Sequence, residues 1–160
     1  MDRTDDGRPL KLMVVLDEWT RECLAIRVAR RLRAPHVLEV FADLMEVHGV
    51  PVHLRSDNGP EMVATTLRTW LGRVGAGTLY ITPGSPWENG AGESFNGKLL
   101  DDLLTREIIA KLHEAKVMVE QWRAHYNRLR PHSALGRPPA PEAILPRPAA
   151  AAQQEPLTAA

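Results

Sequence analysis

The sequence predicts one layered α/β or α+β domain, because short apolar segments typical of strands alternate with longer segments whose apolar residues recur every three or four positions. The chain has 160 residues, which suits a single domain with a short addition rather than two full domains. Apolar residues make up 44% and charged residues 25% of the chain, so the composition excludes a wholly disordered or collagen-like protein.

Two strands are predicted near the start of the chain. Residues 10–16 are apolar and short, which is typical of a strand buried on both faces, although a buried helix fits the same pattern. Turn residues Asp5-Asp6-Gly7 come before this segment. Only four residues precede the turn, so the first strand of the implied hairpin is almost absent. Residues 23–29 alternate well enough to predict a second strand with one wetter face.

A helix, a strand, a helix and a strand are predicted next. Pro35 suits the first turn of a helix. Residues 50–55 predict a short strand that enters a sharp turn at 56–59. Pro60 begins a second helix, and residues 78–81 predict a last short strand.

The second half of the chain is predicted to be mainly helical. Residues 82–90 are too rich in Pro and Gly to be regular, and a long helical region follows over about 92–129, with a break near 105–112. We therefore expect three parts, namely a core over 1–112, a C-terminal helix with a basic extension over 113–145, and a disordered tail over 146–160.

Composition also limits the function classes. Lys+Arg and Asp+Glu each number 20, so the net charge is zero and any surface that attracts nucleic acid must come from uneven distribution. The single cysteine, Cys23, excludes a disulfide framework and an all-cysteine zinc site. The longest apolar run is five residues, and the first residues lack the apolar core of a signal peptide. These observations predict a cytoplasmic protein that does not enter a membrane.

Two acidic residues stand out by their positions. Asp57 lies where a predicted strand ends, a place that holds a side chain rigidly at the rim of a sheet. Glu93 follows after 35 intervening residues, in the predicted first turn of the long helix. Each also has a structural interpretation, since Asp57 suits a turn and Glu93 suits a helix N-terminus. The spacing alone is weak evidence, because chance gives about two acidic pairs at this separation.

Paired carboxylates brought together from distant elements are what Mg²⁺ or Mn²⁺ requires for phosphodiester chemistry. Two carboxylates are few for two ions, so a third ligand is expected. A cationic stretch accompanies this pair of acids, because residues 121–148 contain five Arg and one Glu. With Trp122 and Tyr126 interleaved, this stretch suits a phosphate backbone, and it equally suits a solvated helix end.

Three joined motifs resemble the integrase-core region of bacterial insertion-sequence transposases. They comprise Ser56-Asp57-Asn58-Gly59-Pro60-Glu61, then residues 83–90, then Glu93-Ser94-Phe95-Asn96-Gly97-Lys98-Leu99. The match continues through Tyr126-Asn127 and residues 130–136 to Pro141, and it covers roughly residues 8–145. Together these motifs are far more specific than any one alone.

The resemblance implies a ribonuclease-H-like α/β fold, a mixed sheet flanked by helices with a C-terminal helical extension. It also implies Mg²⁺ or Mn²⁺ held by an Asp, Asp, Glu set in which Asp57 is the second member and Glu93 the third. Such enzymes cleave donor DNA and join a 3′-hydroxyl to target DNA, so the implied partners are transposon ends, target DNA, and further copies of the chain or an intact transposase. By resemblance or by charge, the expected DNA-binding residues are Asn58, Trp87, Asn89, Asn96, Lys98, Arg128, Arg130 and His132.

The first acid of that set departs from the family pattern. Counting back from the turn at residues 5–7 places the first Asp of the set upstream of Met1. Asp2, Asp5 and Asp6 belong to the connection that follows the first strand. The strand that carries it is normally central, so its loss would expose two sets of unpaired backbone groups. Asp17 is a poor candidate substitute, and its structural interpretation is a turn residue at a strand end.

Two functional hypotheses follow. In the first, the chain is the catalytic domain of a transposase, inactive or nearly so by itself because it lacks the first catalytic Asp. In the second, it is a non-catalytic remnant that binds transposon DNA or an intact transposase.

Overall fold

The computed structural model describes residues 2–3, 7–104, 111–132, 135–136, 138–139 and 156–159. No helix within these ranges is both long enough and apolar enough to pass through a membrane.

Three antiparallel strands form the start of the fold. They are β1 (Asp2–Arg3), β2 (Pro9–Asp17) and β3 (Cys23–Ala29). β2 pairs with β3 in a register that runs from Lys11 opposite Ala29 to Leu16 opposite Cys23. β1 pairs with the start of β2, and Gly7 has a φ of +72° between them. The prediction of a hairpin with an almost absent first strand is therefore confirmed.

Helices and parallel strands alternate in the middle of the chain. The elements are α1 (Ala34–His48), β4 (His53–Ser56), α2 (Pro60–Val63), α3 (Thr65–Val74) and β5 (Gly77–Tyr80). The single helix predicted after Pro60 is wrong, because Ala64 adopts an extended ψ of 133° and divides it into α2 and α3.

The helical second half begins at a short 3₁₀ helix. This Pro86–Asn89 turn leads into α4 (Gly90–Leu99), which continues as a π-helical turn over Leu100–Leu104. The last helix, α5, spans Leu112–Arg128. The predicted break near 105–112 falls mostly on residues 105–110, which lie outside the described residues.

A sixth strand, β6 (Pro156–Ala159), lies in the middle of the sheet. It pairs antiparallel with β2 and parallel with β4, so the main path through the sheet is β1-β2-β6-β4-β5, and β3 pairs with β2. For these four residues the prediction of a disordered tail is wrong. The low-complexity sequence around these residues does not predict a strand. They are ordered because their backbone pairs with two neighbouring strands.

The side chains of β2 alternate between two hydrophobic cores, as expected for a strand buried on both faces. On one side Met13 and Val15 pack with residues of α1, β4, α2 and α3, which include Val37, Phe41, Leu54, Met62, Leu67 and Leu71. On the other side Val14 and Leu16 pack with residues of β3, α4 and α5, namely Cys23, Phe95, Leu99, Trp122 and Tyr126. α5 also packs on β3 through Ala115 and Val119. The sheet therefore holds α4, which carries Glu93, and α5 against one face.

Candidate functional site

Asp57 directly follows β4 and its side chain is exposed. Its Oδ1 atom accepts a hydrogen bond from the Gly59 backbone N–H at 3.0 Å, so the residue does form a turn. The Glu61 carboxylate lies near the same glycine, because a Cβ on Gly59 would be 3.0 Å from Asp57 Oδ1 and 3.4 Å from Glu61 Oε1. Both acids line a cavity of about 170 Å³. Sequence reasoning missed Glu61, whose place in the first turn of α2 favours a carboxylate.

The loop between β5 and α4 is attached to the end of β4. Asn58 Nδ2 donates a hydrogen bond to Ile81 O at 3.1 Å. Arg55 Nη1 donates a longer one, 3.5 Å, to Glu88 O. The segment that leads to Glu93 therefore starts beside the turn that follows β4.

Glu93 lies in the first turn of α4, and its side chain is exposed. The positive end of the helix dipole favours a carboxylate at this position. The predicted elements are therefore correct for both acids, a strand end for Asp57 and a first helical turn for Glu93. Among the described residues, His, Cys, Asp and Glu side chains form no group of three or more that could hold a metal ion. The convergence of Asp57 and Glu93 on one ion stays a prediction.

A second cavity, of about 90 Å³, brings together Lys98 of α4 and His132, two of the expected DNA-binding residues. Arg21 and Asp17 also line it. Arg21 has a φ of +63°, a backbone conformation that is uncommon for any residue except glycine. Burial, together with the charges of Lys98 and Arg21, lowers the pKa of His132. The cavity lining thus combines three basic side chains with two acidic ones, Asp17 and Glu18.

Asp17 has a structural role at the end of β2. It is 7% exposed, and its Oδ1 atom accepts hydrogen bonds from the backbone N–H groups of Trp19 (2.9 Å) and Thr20 (3.2 Å). These bonds organise the turn that joins β2 to β3. The contacts therefore match the interpretation of Asp17 as a turn residue.

The two cations at the end of α5 differ in their environment. Arg130 forms a salt bridge with Asp102, whose carboxylate also accepts a hydrogen bond from Trp122 Nε1 at 3.4 Å. Arg128 is exposed. Arg128 is therefore open to a phosphate, whereas part of the Arg130 guanidinium already binds within the chain.

The expected DNA-binding residues of the loop before α4 and of α4 itself also differ in their environment. Asn96 is half-buried on α4. Asn89 is half-buried too, and its Oδ1 atom is buried and accepts no hydrogen bond within the described part of the chain. The side chain of Trp87 lies outside the described residues.

Trp122 and Tyr126 belong to the core, which corrects their interpretation as aromatics interleaved along a phosphate backbone. They are 9% and 4% exposed, and their rings stack with centroids 5.3 Å apart. Phe95 of α4 meets both rings edge-on, at centroid distances of 5.2 Å and 4.9 Å. Such contacts add about 0.5–1.5 kcal/mol each beyond the buried area. They fix α4 on α5, and so fix the helix that carries Glu93 and Lys98.

Two sequence profiles, both described as integrase core domain, match the chain over residues 1–86 and 74–139. A 39.2 kDa protein of insertion element IS476 from Xanthomonas euvesicatoria is 36% identical over 140 residues, 87% of this chain and 40% of that protein. A 31.7 kDa protein of insertion element IS407 from Burkholderia multivorans is 34% identical over 84% of this chain and 49% of that protein. The chain thus spans less than half the length of these two relatives.

Solved structures of viral integrases share the architecture. The HTLV-2 integrase catalytic core domain in complex with magnesium has a TM-score of 0.66 at 15% identity, covering 87% of this chain and 88% of that one. The integrase core of BIV has a TM-score of 0.62 at 19% identity, covering 81% and 88%. At such low identity the likeness concerns the fold, and it confirms the predicted ribonuclease-H-like class.

Proposed function

We propose that this chain, which belongs to the integrase core domain family, is the catalytic-domain segment of a transposase and acts in DNA transposition. The observation that carries the proposal is the placement of two acids within this fold, Asp57 after β4 and Glu93 in the first turn of α4. The bacterial relatives are insertion-element proteins, which supports transposition and a place in the bacterial cytoplasm.

Asp57 and Glu93 would hold a divalent cation, Mg²⁺ or Mn²⁺. The donor set suits these ions, because Mg²⁺ is usually bound by one or two carboxylates, with water and substrate phosphates completing its coordination. Both carboxylates are exposed, so solvent and a phosphodiester can approach them. The ion, when bound, would supply Lewis-acid activation of the phosphodiester. A magnesium complex of the structurally similar HTLV-2 domain supports this assignment.

DNA would lie along α4 and the end of α5. Lys98 and His132 share one cavity, and Arg128 near the end of α5 is exposed. Within a chain of zero net charge, this local group of basic side chains supplies the attraction to phosphate that the total charge lacks. Asn58 and Asn96 would add polar contacts, as the resemblance implies.

We expect the chain by itself to cleave DNA weakly or not at all. Only two of the three expected acids have assigned positions, and no three-ligand group exists among the described residues. A second candidate function is a non-catalytic protein that binds transposon DNA or an intact transposase, which the exposed Arg128 and the cavity shared by Lys98 and His132 support.

Mn²⁺ binding followed by calorimetry tests the metal site. We expect Asp57→Asn and Glu93→Gln each to weaken the same Mn²⁺ binding event about tenfold or more, because both carboxylates would be ligands of one ion. Asp43→Asn, an exposed acid on α1, is the control that should leave binding unchanged. Two Mn²⁺ binding events, with a different one lost in each variant, would contradict a shared ion.

Incubation of the chain with a labelled inverted-repeat end and Mg²⁺ or Mn²⁺ tests activity. Robust cutting that disappears in Asp57→Ala would overturn the expected inactivity and leave the transposase proposal intact. DNA binding without cutting, lost on Lys98→Ala and Arg128→Ala, would support the second candidate.

A further inference from the structure

The strand at the centre of the sheet comes from a part of the chain remote from both of its neighbours. β6 (Pro156–Ala159) pairs antiparallel with the end of β2, with Val15 opposite Ala159 and Asp17 opposite Leu157. On its other side it pairs parallel with all of β4, from His53 opposite Pro156 to Ser56 opposite Ala159. Four residues therefore satisfy backbone groups on two strands at once.

β6 is also the element that connects the two parts of the sheet. β2 pairs with β3 along its other edge, and β4 pairs with β5 along its other edge. Without β6, backbone groups of β2 at residues 15–17 and of β4 would face each other unpaired within the fold. Buried backbone groups without partners cost about 1–3 kcal/mol each, so this interval strongly favours an extended segment.

The order of β6 comes from its neighbours rather than from its own sequence. Pro156 and Ala159 are residues with low strand propensity, and β6 has only four residues in all. The sixteen residues from 140 to 155, with a maximum reach of about 50 Å, join it to the rest of the same chain. The interval between β2 and β4 therefore requires an extended backbone that runs in the right direction, more than it requires particular side chains.

We propose that the interval between β2 and β4 is a binding groove for an extended peptide, and that Pro156–Ala159 of the same chain is its occupant. The groove accepts a strand that runs antiparallel to β2 and parallel to β4. The tether gives the chain's own segment a high effective concentration, so it excludes a free peptide while it is bound. A peptide of the same sequence binds once the chain's own segment is withdrawn. This inference does not depend on the proposed DNA chemistry.

Proline substitution in the full-length chain tests the groove. Thr158→Pro removes a backbone N–H from a strand with partners on both sides, whereas Thr158→Val keeps the backbone and is the matched control. In Thr158→Pro alone, we expect amide hydrogen exchange to accelerate about tenfold or more at Leu16 and within β4. Asp17 should change little, because its N–H donates to the Glu22 carbonyl. Exchange at Leu12 and Met13, which lie opposite β3 and away from β6, should change little. Equal exchange in Thr158→Pro and Thr158→Val would overturn the proposal.

The affinity of a fluorescent peptide of residues 153–160 then shows whether the groove is empty. It should bind the Thr158→Pro protein at least about tenfold more tightly than the unsubstituted chain, and a peptide with proline at the same position should bind neither. Equal binding of the peptide to both proteins would contradict occupation by the chain's own segment.

Disulfide trapping tests the register without removing a backbone N–H from β6. In a Cys23→Ser background, Leu16→Cys with Thr158→Cys places two thiols at paired positions of β2 and β6. We expect a cross-link within one chain that forms about tenfold faster than in Leu16→Cys with Gln153→Cys, which places the second thiol five residues earlier. Equal rates, or cross-links mainly between two chains, would overturn an occupant that pairs in cis.

Discussion

Asn127 and Cys23 lie 104 residues apart and are joined by two hydrogen bonds. The Cys23 backbone N–H donates to Asn127 Oδ1 at 2.8 Å, and Asn127 Nδ2 donates to the Cys23 carbonyl at 2.9 Å. Both residues are buried, Cys23 to 0% exposure and Asn127 to 5%. One amide of α5 thus satisfies both backbone groups at the first residue of β3, and so sets the position of α5 on the sheet.

Asn127→Ala should destabilise the protein by about 1–3 kcal/mol, because it removes the partner of the buried Cys23 N–H. The Cys23 carbonyl loses one of two hydrogen bonds, since it also accepts from Arg123 Nη1 at 2.9 Å. Denaturant unfolding measures this loss. Gln121→Ala, at an exposed position of the same helix, is the control and should change the free energy of unfolding by less than about 0.5 kcal/mol. Equal effects of the two substitutions would contradict the structural role of Asn127.

The protein should lose stability in alkali. Burial raises the pKa of the Cys23 thiol well above its ordinary value and raises the pKa of the Tyr126 phenol to about 12. The unfolded chain therefore releases these protons first. The stabilisation is complete below about pH 9 and is lost as the pH rises towards 12. Denaturant midpoints at pH 8, 9.5 and 11 measure the decline, and Tyr126→Phe should make it shallower above pH 10. A midpoint constant from pH 8 to 11 would contradict this prediction.

Gly77 and Gly97 should respond to alanine in opposite directions. A Cβ on Gly77 would lie 2.8 Å from His53 Cδ2 and 3.0 Å from the Val52 carbonyl oxygen, where β5 starts beside β4. Gly77→Ala should therefore cost about 1–3 kcal/mol. A Cβ on Gly97, inside α4, would have no atom within 4 Å, so Gly97→Ala should stabilise the protein by about 0.5–1 kcal/mol. Thermal unfolding measures the stability of the two variants. If Gly77→Ala stabilised the protein, the start of β5 must be able to move away from the start of β4.

DNA binding should strengthen as the pH falls, through His132. Its pKa is lowered by burial, Lys98 and Arg21, so the imidazole is neutral at pH 7.5. A phosphate in the shared cavity favours the charged form, and protonation then adds a cationic contact. Fluorescence anisotropy with a DNA duplex should show affinity that rises below about pH 6.5, and His132→Gln should remove that rise. An unchanged pH profile in His132→Gln would place the phosphate elsewhere.

Elements with strong local sequence patterns were predicted correctly, whereas contacts between residues far apart in the sequence were not. The apolar run of β2 and the alternation of β3 predicted the two strands, since each pattern matches the faces that its strand buries. The strand end at Asp57 and the helical first turn at Glu93 were predictable in the same way, because turn residues and helix starts are local signals.

Three features depended on contacts that no local pattern records. The burial of Trp122 comes from Phe95, which lies 27 residues earlier on another helix. The double hydrogen bond of Asn127 depends on the place where β3 begins. The strand at Pro156–Ala159 depends on the interval between β2 and β4.

The position of β6 has a consequence for synthesis of the protein. A ribosome completes β4 at Ser56 and then adds about one hundred further residues before Pro156 exists, which takes roughly 5–20 s. During that time the nascent chain holds two incomplete strand edges, both able to adhere to other polypeptides. Closure of the sheet therefore waits for the synthesis of β6, and we expect holdase chaperones to protect the growing chain until that strand emerges.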